Sequence, residues 1–339
     1  MIDPRRILDA QSLLARHFGP TPIARAASLS SSTHDAFLKI ETGLPTGSFK
    51  VRGALYALSV NLAAGAVREV VCASTGNHGA AVAWAAQLLG IPATIFLPVN
   101  PNPVKADRIR ALGARLVESG SDLSAAIEAA YAHAERAPAF FLHDASDPDV
   151  PAGAGTIGVE IVDQLPTVDA VYVPMGDTAL IRGVASAVKQ RRPSIRIVGV
   201  VAERAPAYLR SWEKARMADG SRLRTPRASA GQAEQDGDDV VETATCDTIA
   251  DGLAIRRPLA DNVRMIRELV DEVIAVGEQE MIEAIERLSA REQVIAEPAG
   301  AAAAAALLKR PSDSGTIVAL VTGGNITPQL RKRLVRDTV

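Results

Sequence analysis

Lys50 sits in Thr46-Gly47-Ser48-Phe49-Lys50-Val51-Arg52-Gly53-Ala54, a single amine among glycines, small hydroxyls and one aromatic ring. Surface lysines belong on solvated helix faces. Lys50 instead follows the bend signal Leu44-Pro45-Thr46-Gly47 and opens the largely apolar run Val51 to Ala64, which reads as a buried helix. Burial and a helix N-terminus both disfavour the charged form of an amine there. The expectation is a partly desolvated lysine with a lowered pKa, available to attack a carbonyl and form a Schiff base. A lysine snorkelling from a helix end leaves the same local pattern, and Lys50 by itself does not separate the two.

Four further segments carry chemistry-bearing residues. Ser74-Thr75-Gly76-Asn77-His78-Gly79 follows the strand-like Val70-Val71-Cys72-Ala73, and Val171-Tyr172-Val173-Pro174-Met175-Gly176 ends in a tight turn. Glu297-Pro298-Ala299-Gly300 precedes an alanine run, and Thr322-Gly323-Gly324-Asn325 closes the apolar stretch Ile317 to Val321. With these segments beside Lys50, the chain resembles the fold-type II pyridoxal-phosphate enzymes, within them the threonine and serine dehydratase group that also contains serine racemase. The likeness runs from Thr21-Pro22 to Asn325, and Thr156-Ile157-Gly158-Val159-Glu160 and Thr248-Ile249-Ala250-Asp251-Gly252 add to it.

The resemblance implies pyridoxal 5'-phosphate as cofactor, a small-molecule amino acid as substrate, a homodimer, and loss of water from a 3-hydroxy amino acid to give a 2-oxo acid and ammonia. It makes Lys50, with Phe49 beside it, the residue that holds the cofactor and then acts as base at Cα. Backbone N–H groups of Ser74, Thr75, Gly76, Asn77 and His78, between a strand and a helix start, are expected to hold the substrate carboxylate. The Asn77 side chain takes the ring hydroxyl; an ordinary Asn helix cap is the plainer alternative. His78 alone reads as a packed histidine rather than a base. Gly176, Asp177, Thr178, Ala179 and Leu180 form the phosphate loop, where successive N–H groups make an anion nest. Thr322 faces the pyridine nitrogen. A neutral hydroxyl there limits the electron sink, which suits β-elimination better than transamination. Glu297 and Asp251 match further positions near the site, and Asp251 equally suits a turn cap.

The chain departs from the family pattern in three places, and a fourth position bears on the reaction. The usual glycine tetrad is Gly176-Asp177-Thr178-Ala179, which sets a carboxylate beside a phosphate dianion. Either Asp177 points away, or it accepts N–H bonds that shape the loop while the Thr178 hydroxyl supplies a compensating donor. A similar loop in dehydratases linked to hydroxyectoine breakdown widens the expected substrates beyond L-threonine and L-serine. Gly153-Ala154-Gly155-Thr156-Ile157 replaces Gly-Gln-Gly-Thr-Ile and loses a side-chain amide. At the divalent-metal position of racemase-like members Glu203 and Ala207 are in register, but Leu209 replaces the second acid, so no bound metal is expected. Thr75 stands where racemase-like members carry a hydroxyl base opposite Lys50. Its methyl group restricts the rotamer, and with the metal ligand missing the expectation is elimination over racemisation.

Gly153-Ala154-Gly155-Thr156-Ile157-Gly158 also spells GxGxxG, with Asp177 about twenty residues on, the spacing of a dinucleotide site. Its context is wrong for NAD: Asp147-Pro148-Asp149-Val150-Pro151-Ala152 is no strand, and Pro166 limits the following helix. A cofactor-free binding protein is the remaining rival, favoured only by the altered phosphate loop.

The elements that must position these residues alternate between apolar runs and helical patterns from Glu69 to Asp144, and again from Thr156 onward, the sign of stacked βαβ units. The fold class expected is α/β, each of two domains a mostly parallel sheet flanked by helices. By resemblance residues 69–147 form a small domain inserted into a large one made of 1–68 and 148–339. The polar, Gly-rich stretch 216–239 reads as a mobile surface insertion.

With 339 residues, 47% of them hydrophobic, the chain has material for a sizeable core. A net charge of -2 argues against nucleic acid or anionic membrane as partner. The N-terminus has no signal-peptide pattern and no stretch reaches about 18 uncharged apolar residues, so a cytoplasmic location is expected. Cys72 and Cys246 lie too far apart in sequence to suggest a framework, and Cys72 reads as a buried, inert thiol.

Overall fold

The computed structural model describes residues 1–65, 67–136, 138–222, 239–311, 313–328 and 330–332. Its elements begin with α1 (Pro4–Leu14), β1 (Ile23–Arg25), β2 (His34–Ile40), α2 (Lys50–Ala63), β3 (Glu69–Ala73), α3 (Asn77–Leu89) and β4 (Ala93–Leu97). Next come α4 (Pro103–Ala111), β5 (Arg115–Glu118), α5 (Leu123–Arg136), β6 (Ala139–Phe141), α6 (Val150–Gln164), β7 (Ala170–Pro174) and α7 (Ala179–Arg191). The chain closes with β8 (Arg196–Ala202), α8 (Ala207–Arg222), α9 (Ala260–Leu269), β9 (Glu272–Val276), α10 (Glu278–Glu292), α11 (Pro298–Lys309) and β10 (Gly315–Val321).

These strands make two sheets. One is six-stranded, in the order β1-β2-β10-β7-β8-β9, and the other four-stranded, in the order β5-β4-β3-β6. Apart from the antiparallel pair β1–β2, neighbouring strands run parallel. Parallel strands need helical cover on both faces and therefore read as continuous apolar runs. β4 (ATIFL) and β7 (AVYVP) are buried at every position for that reason.

Topology decides where the motifs meet. β10, last in the chain, inserts between β2 and β7, placing Val321 beside Ile40 and Ala319 beside Tyr172. The residues after β2, β7 and β10 therefore leave the sheet at one edge, its carboxyl end, where open parallel sheets form their crevice. β3 and β6 of the other sheet deliver 74–78 and 142–147 in the same way.

α2, α6 and α7 pack with almost no gap: a Cβ on Gly153 would stand 2.4 Å from the Arg52 carbonyl oxygen, and one on Gly183 2.1 Å from that of Pro151. The GxGxxG string thus lies inside α6, where its glycines serve helix packing; no strand leads into it and it forms no turn for a pyrophosphate.

A fully buried ionic cluster fastens α2. Arg52 Nε reaches Glu41 at 2.7 Å and its Nη1 reaches Glu160 at 2.6 Å, while Lys39 Nζ meets Glu160 at 2.5 Å. Thr21 Oγ1 donates to Glu41 at 2.5 Å. Within the loop expected over 216–239, residues 216–222 instead continue α8. Residues 223–238 lie outside the described residues.

Candidate active site

Backbone bonds from the strand ends tie the motif segments together. Phe49 N donates to Thr322 O at 3.0 Å, Gly324 N to Gly47 O at 2.9 Å, and Glu297 N to Gly323 O at 2.9 Å. Gly47 takes a left-handed φ of 62°, and a Cβ there would stand 2.7 Å from Asn325 Oδ1, so this bend needs glycine twice over. A side-chain relay runs across the same place: Asn325 Nδ2 donates to Asn77 Oδ1 at 2.6 Å, and Asn77 Nδ2 donates to Glu297 Oε1 at 2.5 Å. Asn77 is the first residue of α3, whose N-cap is Gly76 without a side-chain cap bond. Asn77 is therefore not the ordinary helix cap considered from sequence. Burial drives the Glu297 carboxyl up to about 7, against the pull of the Asn77 bond and the Lys105 and Arg108 charges.

Lys50 opens α2 as its spacing suggested, with 12% of its side chain exposed. The expectation of a lowered pKa fails. Burial does push the amine down, but Asp144 Oδ2 lies 2.8 Å from Nζ and Asp177 Oδ2 is closer still, and together they hold the ammonium above its ordinary range. The Phe49 ring adds a cation contact, 5.3 Å from Nζ to its centroid. Asp144 was not found from sequence. The available signal was position: Leu142-His143-Asp144 leaves the carboxyl end of β6, where functional side chains of parallel sheets gather.

His78 is buried and its Nε2 lies 3.1 Å from Leu142 O, as a packed histidine would; its Nδ1 stands 3.8 Å from Asp144 Oδ2. Burial lowers the neighbouring His143 imidazole and favours its neutral form. Ser74, Thr75 and Gly76 make the turn into α3, with Ser74 Oγ accepting Gly76 N at 3.2 Å.

The loop after β7 is cramped. A Cβ at Gly176 would meet Gly252 O at 2.0 Å, so only glycine allows this approach. Asp177 does not point away, as one expectation had it: Oδ1 accepts Ala179 N at 2.8 Å and Oδ2 faces Lys50. Thr178 takes φ 74°, an uncommon conformation for a β-branched residue, and is 1% exposed. Its Oγ1 stands near the Tyr208 hydroxyl yet in no hydrogen bond of ordinary geometry. Ala179 and Leu180 start α7 with buried side chains and present only backbone to the loop. Behind it, Asn262 Nδ2 reaches Ala145 O at 3.1 Å and Asp177 O at 3.3 Å, and Arg182 Nη2 donates to Ala145 O at 2.8 Å. Sequence reading missed both supports.

Asp251 is not drawn into this cluster. It begins a short 3-10 turn, its carboxylate is 68% exposed and it pairs with Lys105 of α4. Thr322 is buried at the end of β10, directly before the Gly323 that meets Ser48. Leu209, on α8, packs against the apolar core, and among the described residues no group of three His, Cys, Asp or Glu side chains is placed to hold a metal ion.

The chain is similar to known proteins over nearly its whole length. An L-threonine ammonia-lyase of Thermotoga maritima is 37% identical over 99% of this chain and 78% of the relative. A catabolic L-threonine dehydratase of Staphylococcus aureus is 32% identical over 94% of this chain and 88% of its own. Among solved structures, maize serine racemase superposes with a TM-score of 0.83 at 28% identity, covering 99% of this chain and 97% of that one. A threonine deaminase from T.th. gives 0.83 at 30% identity, covering 96% of this chain and 99% of that one. The family model described as pyridoxal-phosphate dependent enzyme matches residues 14–323, and with that match the chain whose motif segments converge on Lys50 belongs to that family.

Proposed function

We propose that this protein is a dehydratase that eliminates water from a small 3-hydroxy amino acid such as L-threonine or L-serine, releasing a 2-oxo acid and ammonia. The observation that carries this reading is Lys50, held between carboxylates at the convergence of the motif segments, in a chain 37% identical throughout to an L-threonine ammonia-lyase.

The residues fit the cofactor. An amine stands ready at Lys50, and the Gly176–Leu180 loop offers backbone N–H groups at the start of α7 together with the unpartnered, buried Thr178 hydroxyl, a donor set suited to a phosphate. Thr322, neutral and buried, suits a pyridine nitrogen that is not kept protonated. Pyridoxal phosphate, when bound, supplies the electron sink that makes the Cα–H bond of an amino acid acidic.

The chain's own residues do the rest. The turn Ser74 to His78 and the positive end of α3 hold the substrate carboxylate, so that the Cα–H bond faces Lys50. Asn77, fixed from both sides by Asn325 and Glu297, would hold the ring hydroxyl of the cofactor. Lys50 Nζ takes the Cα proton, and Asp144 and Asp177 favour the resulting ammonium. Glu297 acts as a support for Asn77; from its place at Lys105, Asp251 serves the rim of the site.

Two domains, 1–68 with 148–339 and 69–147, are proposed around the two sheets, which among the described residues share no strand pairing. A homodimer in the cytoplasm is proposed with them; among the described residues no helix is long and apolar enough to cross a membrane.

Incubation of the cofactor-loaded protein with L-serine or L-threonine should release 2-oxo acid and ammonia in equal amounts. Faster formation of the D or epimeric amino acid, followed by chiral chromatography, would instead make it a racemase with Thr75 as second base. Activity confined to a bulkier 3-hydroxy amino acid leaves the chemistry intact and assigns the altered loop to substrate choice.

A further inference from the structure

Arg182 is a buried cation with no acid in contact. It is the fourth residue of α7, its backbone N–H donates to Thr178 O at 2.9 Å, and it is 7% exposed. Nη2 donates to Ala145 O at 2.8 Å, Nε has no partner, and among the described residues the guanidinium forms no ion pair. Burial disfavours its charge, and Asp177 is the carboxylate that most opposes that effect. The cleft on its other side does not supply a partner. That space, about 750 Å³, is lined by Asp3, Arg6 and Asp261 as well as Arg182, yet Asp3 accepts the Arg5 N–H, Arg6 pairs with Asp149 at 3.2 Å and Asp261 pairs with Arg264.

The charges that need Arg182 lie toward the loop before α7. Helical side chains lean to the helix N-terminus, which for Arg182 is the Gly176–Leu180 loop. Its acceptor Ala145 O, one residue after Asp144, is shared with Asn262 Nδ2 at 3.1 Å, and the same amide reaches Asp177 O at 3.3 Å. Burial and the Asp144 charge push the Asp177 carboxyl up, but Oδ1 accepts the Ala179 N–H at 2.8 Å at a helix start and Oδ2 accepts the Lys50 ammonium, so Asp177 is ionised. Lys50 and the two carboxylates that touch it therefore carry one negative charge in excess, and Arg182 restores the balance.

We propose that Arg182 is the counter-charge of the phosphate loop: it offsets the acid Asp177 that this loop carries and so lets the loop retain the cofactor's phosphate dianion. The inference goes beyond the reaction catalysed and holds for elimination and racemisation alike. Backbone N–H groups and the start of α7 hold the phosphate oxygens by directional bonds. Asp177 in the same loop repels a dianion, and a guanidinium one helical turn away attracts it through a buried medium that screens weakly. Asp177 keeps its two N–H partners in this arrangement, shaping the loop without making it hostile to phosphate.

The test reads the phosphate alone, with pyridoxine 5'-phosphate and pyridoxine, neither of which has an aldehyde to react with Lys50. Calorimetric titration of the full chain, freed of cofactor, gives a dissociation constant for each, and their ratio separates the phosphate from every contact with the ring. Arg182→Gln keeps a donor for Ala145 O without the charge, and should lower the preference for the phosphorylated compound ~10–100-fold. Asp177→Asn keeps an acceptor for the Ala179 N–H and should raise that preference by a similar factor. The double variant should return to within about 3-fold of the wild type, because the two charges act on the phosphate with opposite sign. An unchanged preference in Arg182→Gln would overturn the proposal. So would equal weakening of both compounds with circular dichroism as in the wild type, which reduces Arg182 to a structural tie on Ala145. If Arg182→Gln does not fold, Asp177→Asn decides: a preference unchanged or lowered there sinks the idea. Neither compound turns over, so these outcomes are independent of whether a 3-hydroxy amino acid yields 2-oxo acid.

Discussion

The Lys50 side chain is surrounded by opposite charge, so its ammonium form is favoured whenever it is not bound elsewhere. Lys50→Ala should abolish both 2-oxo acid release and the visible absorbance of lysine-bound cofactor, with circular dichroism unchanged; a retained absorbance band would move the attachment to another amine. Glu297 gives a pH prediction. Its carboxyl is raised from the ordinary 4.5 to about 7, so folding favours its neutral form. The stabilisation is complete below about pH 4.5 and is lost as pH climbs toward 7, an effect on the order of 2 kcal/mol given partial solvent contact. Glu297→Gln keeps an acceptor for Asn77 without a charge. Urea unfolding should find it more stable than the wild type at pH 8 by about that much, and equal to it near pH 5.

At the scale of elements, α2, α3 and α7 all start at the site, and glycines set how closely their preceding loops approach. Gly176→Ala forces a methyl against Gly252 O, 2.0 Å away, and must part the phosphate loop from the 3-10 turn at Asp251. The expected cost is about 1–3 kcal/mol of stability together with weaker cofactor retention, read by urea unfolding and by dialysis of the holoenzyme. The junction of β8 and α8 makes a different point. Glu203 follows β8, its N–H donating to Val276 O, but Leu209 packs against the core where a second acid is needed, so treatment with EDTA should leave turnover unchanged. Lost activity that magnesium restores would contradict this.

For the molecule as a whole, the buried Arg52 cluster joins parts far apart in sequence: Thr21 before β1, Lys39 in β2 and Glu41 just after it, Arg52 on α2 and Glu160 on α6. It fixes the helix that carries Lys50 two residues earlier. Removing one partner of a buried ionic set leaves the others uncompensated, so Arg52→Ala should cost ~3–5 kcal/mol in a urea titration. A loss below about 1 kcal/mol would show that water or a shift of Lys39 compensates.

Much of the site was legible in the chain because its signals are local. A lysine at an apolar helix start, small polar residues after a strand, and an apolar run ending in Thr-Gly-Gly-Asn each report a strand end or helix start, and periodicity supplies the alternation of β and α around parallel sheets. The Lys50 charge state was misread for the complementary reason: burial and helix position are sequence-local, whereas Asp144 and Asp177 arrive from residues 94 and 127 positions away. The insertion of β10 between β2 and β7, the aim of Asp177 toward Lys50, and the exposure of Asp251 at Lys105 are likewise set by long-range strand order and packing. Spacing along the chain states which groups are near an element's end; which of them share a dielectric environment and the Lys50 ammonium is decided only when the two sheets bring their carboxyl ends together.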